Sequence, residues 1–238
     1  MQFGDIPQNQ QQSVSLGVQL SVYMRNVYTW MTIGLAITAV VAYWVSGAPA
    51  FRQMVMGNTF SMIILILAQF GLVIALSAAI HKMSAAVATG MFVLYSALTG
   101  VVISSIFIVY PIATIGTTFL VTAGAFGAMS IYGYVTKRDL TSLGSFLFMG
   151  LIGIIIAMVV NIFLKSTMMN FVVCCLGVLI FTGLTAYDTQ RLRNFGMSAP
   201  VDDALAMRRG AILGALTLYL DFINIFLMLL QLFGGNRD

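Results

Sequence analysis

Charge is scarce in this 238-residue chain, and glutamate is missing altogether. Only 8% of the residues are charged, whereas a soluble domain usually carries about 25%. Hydrophobic residues make up 60%, so too little polar material remains to cover a water-facing surface. This composition excludes a soluble enzyme, a nucleic-acid-binding domain and a disordered regulator, and it indicates an integral membrane protein.

Histidine and cysteine are nearly absent as well, which removes several kinds of chemistry. The chain has one histidine, so Ser–His catalysis and His-rich zinc sites lack their parts. Cys174 and Cys175 are adjacent and do not have the spacing of a redox or metal motif. A tight Ca²⁺ cage needs about six to eight oxygen ligands, more than the few carboxylates inside the apolar runs supply. We therefore expect no enzyme activity and no resident cofactor.

Long apolar runs dominate the rest of the sequence. A spanning helix needs about 20 mostly apolar residues, and backbone groups in lipid must be hydrogen-bonded within the segment. Seven runs meet this criterion: about 27–45, 60–80, 84–108, 111–135, 143–165, 168–188 and 211–233. The predicted fold class is all-α, with seven transmembrane helices over 27–238. Residues 1–26 are predicted to form a flexible cytoplasmic tail, and 189–210 the one substantial polar loop.

Lysine and arginine are unevenly divided between the two ends of these runs. One side carries 8 of the 11: Arg25, Lys82, Lys137, Arg138, Arg191, Arg193, Arg208 and Arg209. The other side carries Arg52, Lys165 and Arg237. Positive residues are enriched in cytoplasmic loops, so this bias predicts a cytoplasmic N-terminus and, after seven spans, an external C-terminus. We expect a multi-pass protein of the cell inner (plasma) membrane.

Two aspartates within or at the end of spans stand out as candidate functional residues. An ionisable side chain at the centre of a span costs about 2.5–3.5 kcal/mol on insertion scales, so it needs a role or a partner. Asp221 lies near the middle of the seventh run, and Asp188 ends the sixth. The seventh run also carries small and polar residues at spacings of three and four, which share one helix face: Gly210, Gly214, Thr217, Asp221, Asn224, Met228 and Gln231. This pattern predicts that the seventh helix is central in the bundle.

Two carboxylates in a low-dielectric interior cannot both ionise easily, so a pair retains one shared proton. Asp188 and Asp221 are the candidates for such a pair, which can switch with pH, gate a cation pathway and contact Ca²⁺ only weakly and transiently; the sequence leaves open whether they meet. If both helices are straight, however, their predicted depths differ by about 15 Å. The candidate charged partners of the pair are His81 and Lys82, and the candidate pathway-lining residues are Thr185, Thr217 and Asn224.

Several motifs resemble those of the Bax inhibitor family, whose members are also called transmembrane Bax inhibitor motif proteins. They are Tyr95–Gly100, Gly133–Leu140, Tyr187–Gln190, Gly214–Asn224 and Phe233–Gly234, and the chain is most similar to the bacterial inner-membrane branch. The resemblance implies seven helices with the last one central, and a pH-sensitive Ca²⁺ leak. It also implies that Asp188 and Asp221 are the paired aspartates of the pH sensor. The family pattern has an arginine where this chain has Lys82, and lysine lacks the bidentate fork of arginine.

Two other classes of function stay open at this point. Two aspartates on neighbouring spans also occur in intramembrane aspartyl proteases, although Asp221 lies in Tyr-Leu-Asp and not in the Gly-x-Gly-Asp of those enzymes. Alternatively, the protein is a non-transporting regulator that binds membrane proteases or quality-control complexes. The preferred partners are Ca²⁺, protons and the lipid bilayer, with no nucleic acid.

Overall fold

The computed structural model describes residues 8–198 and 204–234, and this part of the chain is almost entirely helical. In chain order its α-helices are α1 (Gln8–Ser46), α2 (Pro49–Met56), α3 (Thr59–Ala79), α4 (Ala85–Ile103), α5 (Ile106–Val109), α6 (Ile112–Val135), α7 (Thr141–Leu164), α8 (Thr167–Ser198) and α9 (Ala204–Gly234). A 3-10 turn, Ile80–Lys82, follows α3. Within the described ranges there is no β-strand, so the all-α prediction is confirmed.

Seven helical segments of the described chain are long and apolar enough to cross a membrane. They are Leu16–Ser46, Thr59–Lys82, Ala85–Val109, Ile112–Val135, Thr141–Leu164, Thr167–Ser198 and Leu205–Gly234. Each coincides with one of the seven runs, which confirms the predicted seven-span fold. The third span is interrupted at Ser104, where the side-chain oxygen donates a 2.8 Å hydrogen bond to the carbonyl of Val101 and α4 ends.

The ends of the helices follow the local chemistry of the sequence. Pro49 occupies the first turn of α2, where its missing N–H costs no hydrogen bond. The side chains of Asn58 and Ser84 accept hydrogen bonds from the first turns of α3 and α4, as N-cap residues do. Lys165 ends α7 in the left-handed conformation, with its N–H bonded to the carbonyl of Asn161. The spans are therefore separated by short connections.

Helices extend into two segments that we expected to be irregular. The predicted 189–210 loop is wrong for 189–198 and 204–210, which belong to α8 and α9; Asp202 and Asp203 of that loop lie outside the described residues. In the segment predicted as a tail, α1 begins at Gln8, whereas residues 1–7 are outside the described part. Tyr23 is only 2% exposed and donates a 3.2 Å hydrogen bond to the carbonyl of Gly210. Packing between α1 and the start of α9 thus orders part of the expected tail.

The last helix is the most buried of the seven spans. In its most apolar 18-residue stretch 72% of the residues are buried, compared with 11–39% in the other spans. It packs against α8, α1, α6 and α4. Its buried residues range from small and aliphatic ones, such as Ala215 and Leu218, to the aromatic Tyr219 and Phe222. This burial supports the central position that we inferred from its stripe of small and polar residues.

A buried hydrogen-bonded network fixes α9 against α1 and α4. The hydroxyl oxygens of Tyr219 and Thr38 are 2.7 Å apart, and Thr38 also donates to the carbonyl of Ser96 over 2.8 Å. Because Thr38 has one hydroxyl proton, the Tyr219 hydroxyl is the donor between them. One turn along α4 from Ser96, the Thr99 hydroxyl accepts a 3.1 Å hydrogen bond from the Gln69 amide of α3. Polar side chains of four helices therefore satisfy one another inside the bundle.

We expect Thr38→Val to lower the free energy of unfolding by about 1–3 kcal/mol, because the buried Tyr219 hydroxyl loses its acceptor. Valine keeps the shape of threonine, so the change isolates the hydrogen bond. Thermal unfolding of the purified protein in detergent measures the effect. Thr32→Val is the matched control on the same helix, since Thr32 is exposed and bonds only to the carbonyl of Tyr28. Equal midpoints for the two variants would contradict a structural role for the network.

Candidate functional site

The register between α8 and α9 brings Asp188 and Asp221 to nearly the same depth. The two helices are antiparallel: Gly177 packs on Met228 of α9, and Gly210 of α9 packs on Phe195. In this register, Asp188 is level with residues 217–218, which lie about one helical turn, or ~5 Å, from Asp221. The sequence had predicted a depth difference of about 15 Å, on the assumption that the sixth span ends at Asp188. The structure does not have this difference. The sixth helix continues to Ser198, so Asp188 lies well inside the bundle.

Both aspartates also lie on the helix faces that pack together. On α8, Asp188 lies four residues, or about one turn, before Leu192, which packs on Gly214 of α9. On α9, Asp221 shares a face with Gly214 and Met228 through the same spacings. The sequence therefore folds so that the two aspartates lie on facing sides of the α8–α9 interface, about one helical turn apart.

The two aspartates are buried inside the described protein. Asp188 and Asp221 are each only 4% exposed. The Oδ2 atom of Asp221 is buried and has no hydrogen-bond partner in the described protein. Arg191 lies one turn along α8 from Asp188, but its side chain is exposed. Burying one ionised carboxylate without a partner is costly, and burying two adjacent ones is costlier still.

The three candidate pathway-lining residues have different positions. Thr185 is fully buried and level with Asp221, whereas Thr217 is level with Asp188 and half-buried. Asn224 is half-buried one turn beyond Asp221. All three donate to the carbonyl four residues earlier in their own helices, over 2.8, 3.1 and 2.8 Å respectively. Their oxygen lone pairs therefore remain available to a proton or cation beside the two carboxyl groups.

The structure does not bring His81 or Lys82 to the aspartates. Both side chains are exposed in the 3-10 turn after α3. The carbonyl of His81 instead accepts a 3.0 Å hydrogen bond from Arg209 at the start of α9. The sequence motif places Lys82 at the end of a span, and its side chain is exposed there, whereas both aspartates are buried.

Sequence reasoning missed the polar contacts that surround Asp188. Thr189 is fully buried, and its hydroxyl is 3.2 Å from that of Ser130 on α6. Gln190 accepts a 2.9 Å hydrogen bond from the N–H of Leu140 and donates over 2.7 Å to the carbonyl of Arg138. Together these bonds hold α8 against α6 and against the connection between α6 and α7. The signal was present in the sequence, because Thr189 and Gln190 follow Asp188 directly within the Tyr187–Gln190 motif.

Comparisons with known proteins agree with this architecture. The family model described as "Inhibitor of apoptosis-promoting Bax1" matches residues 20–238. The Escherichia coli K12 protein named "Inner membrane protein YbhL" is 56% identical over 218 residues, which cover 92% of this chain and 93% of that protein. An uncharacterised protein of Borreliella burgdorferi is 49% identical over 216 residues (91% and 93%), and one of Caulobacter vibrioides is 39% identical over 233 residues (94% and 93%). The similarity thus extends over nearly the full length of each relative.

Proposed function

The chain belongs to the Bax inhibitor family, and from that premise we propose that it is a pH-sensitive Ca²⁺ leak channel or cation transporter gated by Asp188 and Asp221. The observation that supports the proposal is the burial of two aspartates within about one helical turn of each other in the α8–α9 interface, one with an unpartnered oxygen. A pair of this kind inside a membrane has little value as packing, because apolar residues would fill the interface at lower cost. Its chemistry is instead suited to binding and releasing protons.

The gating step follows from the number of protons on the pair. With one shared proton, each carboxyl group has a hydrogen-bond partner and α8 and α9 are held together. When both groups are ionised or both are protonated, that shared-proton bond is lost and the central helix is free to shift. A shift of α9 would open a route lined by Thr185, Thr217 and Asn224. Arg191, one turn from Asp188 on α8, supplies a positive charge on the same helix.

In this proposal Ca²⁺ and protons are the species that pass or bind, and no enzymatic step is involved. Two carboxylates supply only some of the six to eight oxygens that Ca²⁺ prefers, so contact with the ion would be weak and brief. We do not favour proteolysis, because the Asp221 motif differs from that of the aspartyl proteases. If the protein shows no flux, the favoured alternative is a non-transporting regulator of membrane proteases.

The protein is a multi-pass inner-membrane protein, as its seven spans and its relationship to an inner membrane protein support. We propose that the end of the bundle carrying the 136–140 connection faces the cytoplasm, because most lysine and arginine residues lie at that end. If protons reach the two aspartates from that end, the protein responds to the cytoplasmic pH.

The test is Ca²⁺ entry into proteoliposomes that contain a fluorescent Ca²⁺ indicator, measured over a pH series. We expect entry faster than into protein-free vesicles, with a rate that changes with pH. Replacing Ca²⁺ by K⁺ or Na⁺ in parallel assays distinguishes a Ca²⁺ leak from a general cation transporter. Rates equal to those of empty vesicles at every pH would contradict the proposal.

A further inference from the structure

A groove open to the side of the bundle lies between α1 and α6. Its volume is about 680 Å³, within the range of about 300–1,000 Å³ that is typical of ligand sites. The buried side chains of Met31, Phe126 and Phe222 line it, the last of these from α9. Exposed residues such as Phe119 and Ile131 also line it. The groove is therefore an apolar slot that reaches inward as far as the central helix.

The length and depth of the groove match one leaflet of a bilayer. On α1 its wall runs from Ser21 to Leu35, about 21 Å at the helical rise per residue. On α6 the wall runs from Tyr134 to Phe119, a similar length. Both walls start near the same end of the bundle and finish just past the middle of their spans. Half of the hydrocarbon core is about 15 Å thick, so a phospholipid acyl chain that descends from the headgroup region fits this slot.

The mouth of the groove is positively charged. The guanidinium of Arg193 lies over the ring of Tyr134, which lines the groove, at 5.9 Å from the ring centre. Arg193 also lines a second cavity of about 370 Å³, together with Lys137 and Arg138 of the connection between α6 and α7. Two cavities, one apolar and one cationic, thus adjoin at the Arg193–Tyr134 pair.

One acidic side chain, Asp139, also lines the cationic cavity, but it is already engaged. Its carboxylate accepts hydrogen bonds from the backbone N–H and the hydroxyl of Thr141, over 2.9 and 2.6 Å. These bonds lower the pKa of Asp139, so it stays ionised and directed at the start of α7. Three cations against one occupied carboxylate leave a net positive site for an anionic headgroup.

We propose that this groove binds one acyl chain of an anionic phospholipid, whose phosphate lies at Arg193 and Lys137. The charge at the mouth favours an anionic over a zwitterionic headgroup, and the apolar slot supplies the affinity for the chain. Arginine suits this role because its planar fork binds phosphate oxygens through two hydrogen bonds. The bound chain would contact Phe222, the neighbour of Asp221, but lipid binding does not depend on ion conduction.

The first test measures binding of phosphatidylglycerol and phosphatidylcholine to the purified full chain by native mass spectrometry. We expect phosphatidylglycerol to bind more tightly to the wild type. Arg193→Gln should weaken phosphatidylglycerol binding about fivefold and phosphatidylcholine binding less, because the choline cation already compensates the phosphate of phosphatidylcholine. Lys165→Gln removes the same charge at the opposite end of the bundle and should have no effect. Equal affinity for the two lipids, or equal losses in the two variants, would overturn the proposal.

The second test fills the groove while keeping its charges. Gly127 lines the groove and a side chain there meets open space, so Gly127→Leu occupies the slot without a clash. We expect it to weaken both lipids, whereas Gly153→Leu, at an equally open and exposed glycine of α7, should not. Unchanged binding in Gly127→Leu would overturn the acyl-chain site. The proposal would also be overturned if the wild type were a dimer and Gly127→Leu made it monomeric, because a second copy of the chain would then occupy the groove.

Discussion

Ca²⁺ flux through Asp221→Asn is expected not to change with pH, over the same pH range in which the wild-type flux does change. Asparagine keeps the size of the side chain but has no carboxyl proton to release. With one member of the pair replaced, no shared proton links α8 to α9, so the gate loses its dependence on proton concentration. The measurement is the rate of Ca²⁺ entry into indicator-loaded proteoliposomes over a pH series, with equal protein content for wild type and variant.

Asp139→Asn provides a control with the same chemical change in a different place. Asp139 is exposed in the connection between α6 and α7, where it bonds only to Thr141. Its replacement should leave the shape of the pH profile intact. A pH profile of Asp221→Asn that superimposes on the wild-type profile would refute the assignment of Asp221 as the pH sensor.

Gly133→Ala is expected to destabilise the bundle by about 1–3 kcal/mol, the usual cost of overpacking. At Gly133, α6 lies directly against the backbone of Ala186 on α8, and an added methyl group would overlap its carbonyl oxygen. Backbone cannot rotate away as a side chain can, so one of the helices has to move. Thermal unfolding in detergent, followed by circular dichroism, measures the loss. The movement would displace Asp188, two residues beyond Ala186, and should alter the pH response as well.

Gly124→Ala is the matched control on α6, because a methyl group there meets open space. It should change stability little, since the small gain in helix propensity is the main effect. If both variants unfolded at the same temperature, close approach of α6 and α8 would not be what positions Asp188.

The spans were predictable because length and hydropathy alone define them. Lipid solvates no backbone group, so every run of about 20 apolar residues had to form a helix. The helix ends within the polar flanks were not predictable in the same way. Gln190 lies beyond the sixth run, yet it is buried because the 136–140 connection satisfies its amide. A hydropathy criterion counts such a residue as loop, although its partners keep it inside a helix.

The sequence predicted the two residues of the candidate site but not their positions relative to each other. The spacing of polar residues identified Asp188 and Asp221, whereas their placement at nearly the same depth depends on the register of α8 against α9. That register is set by pairs such as Gly177 with Met228, which are distant in sequence and carry no motif. The Tyr219–Thr38 hydrogen bond joins α9 to α1 across the opposite side of the central helix and was missed for the same reason. Long-range pairs of this kind require coordinates.

Asp188→Asn, Asp221→Asn and the double variant, compared with wild type in the pH-resolved flux assay, test the shared proton most directly. If one proton belongs to both carboxyl groups, either substitution removes the whole pH response. The double variant should then match each single variant to within about twofold at every pH. If the two substitutions instead had separate effects that multiplied in the double variant, the aspartates would act independently and the gate proposed for α8 and α9 would be contradicted.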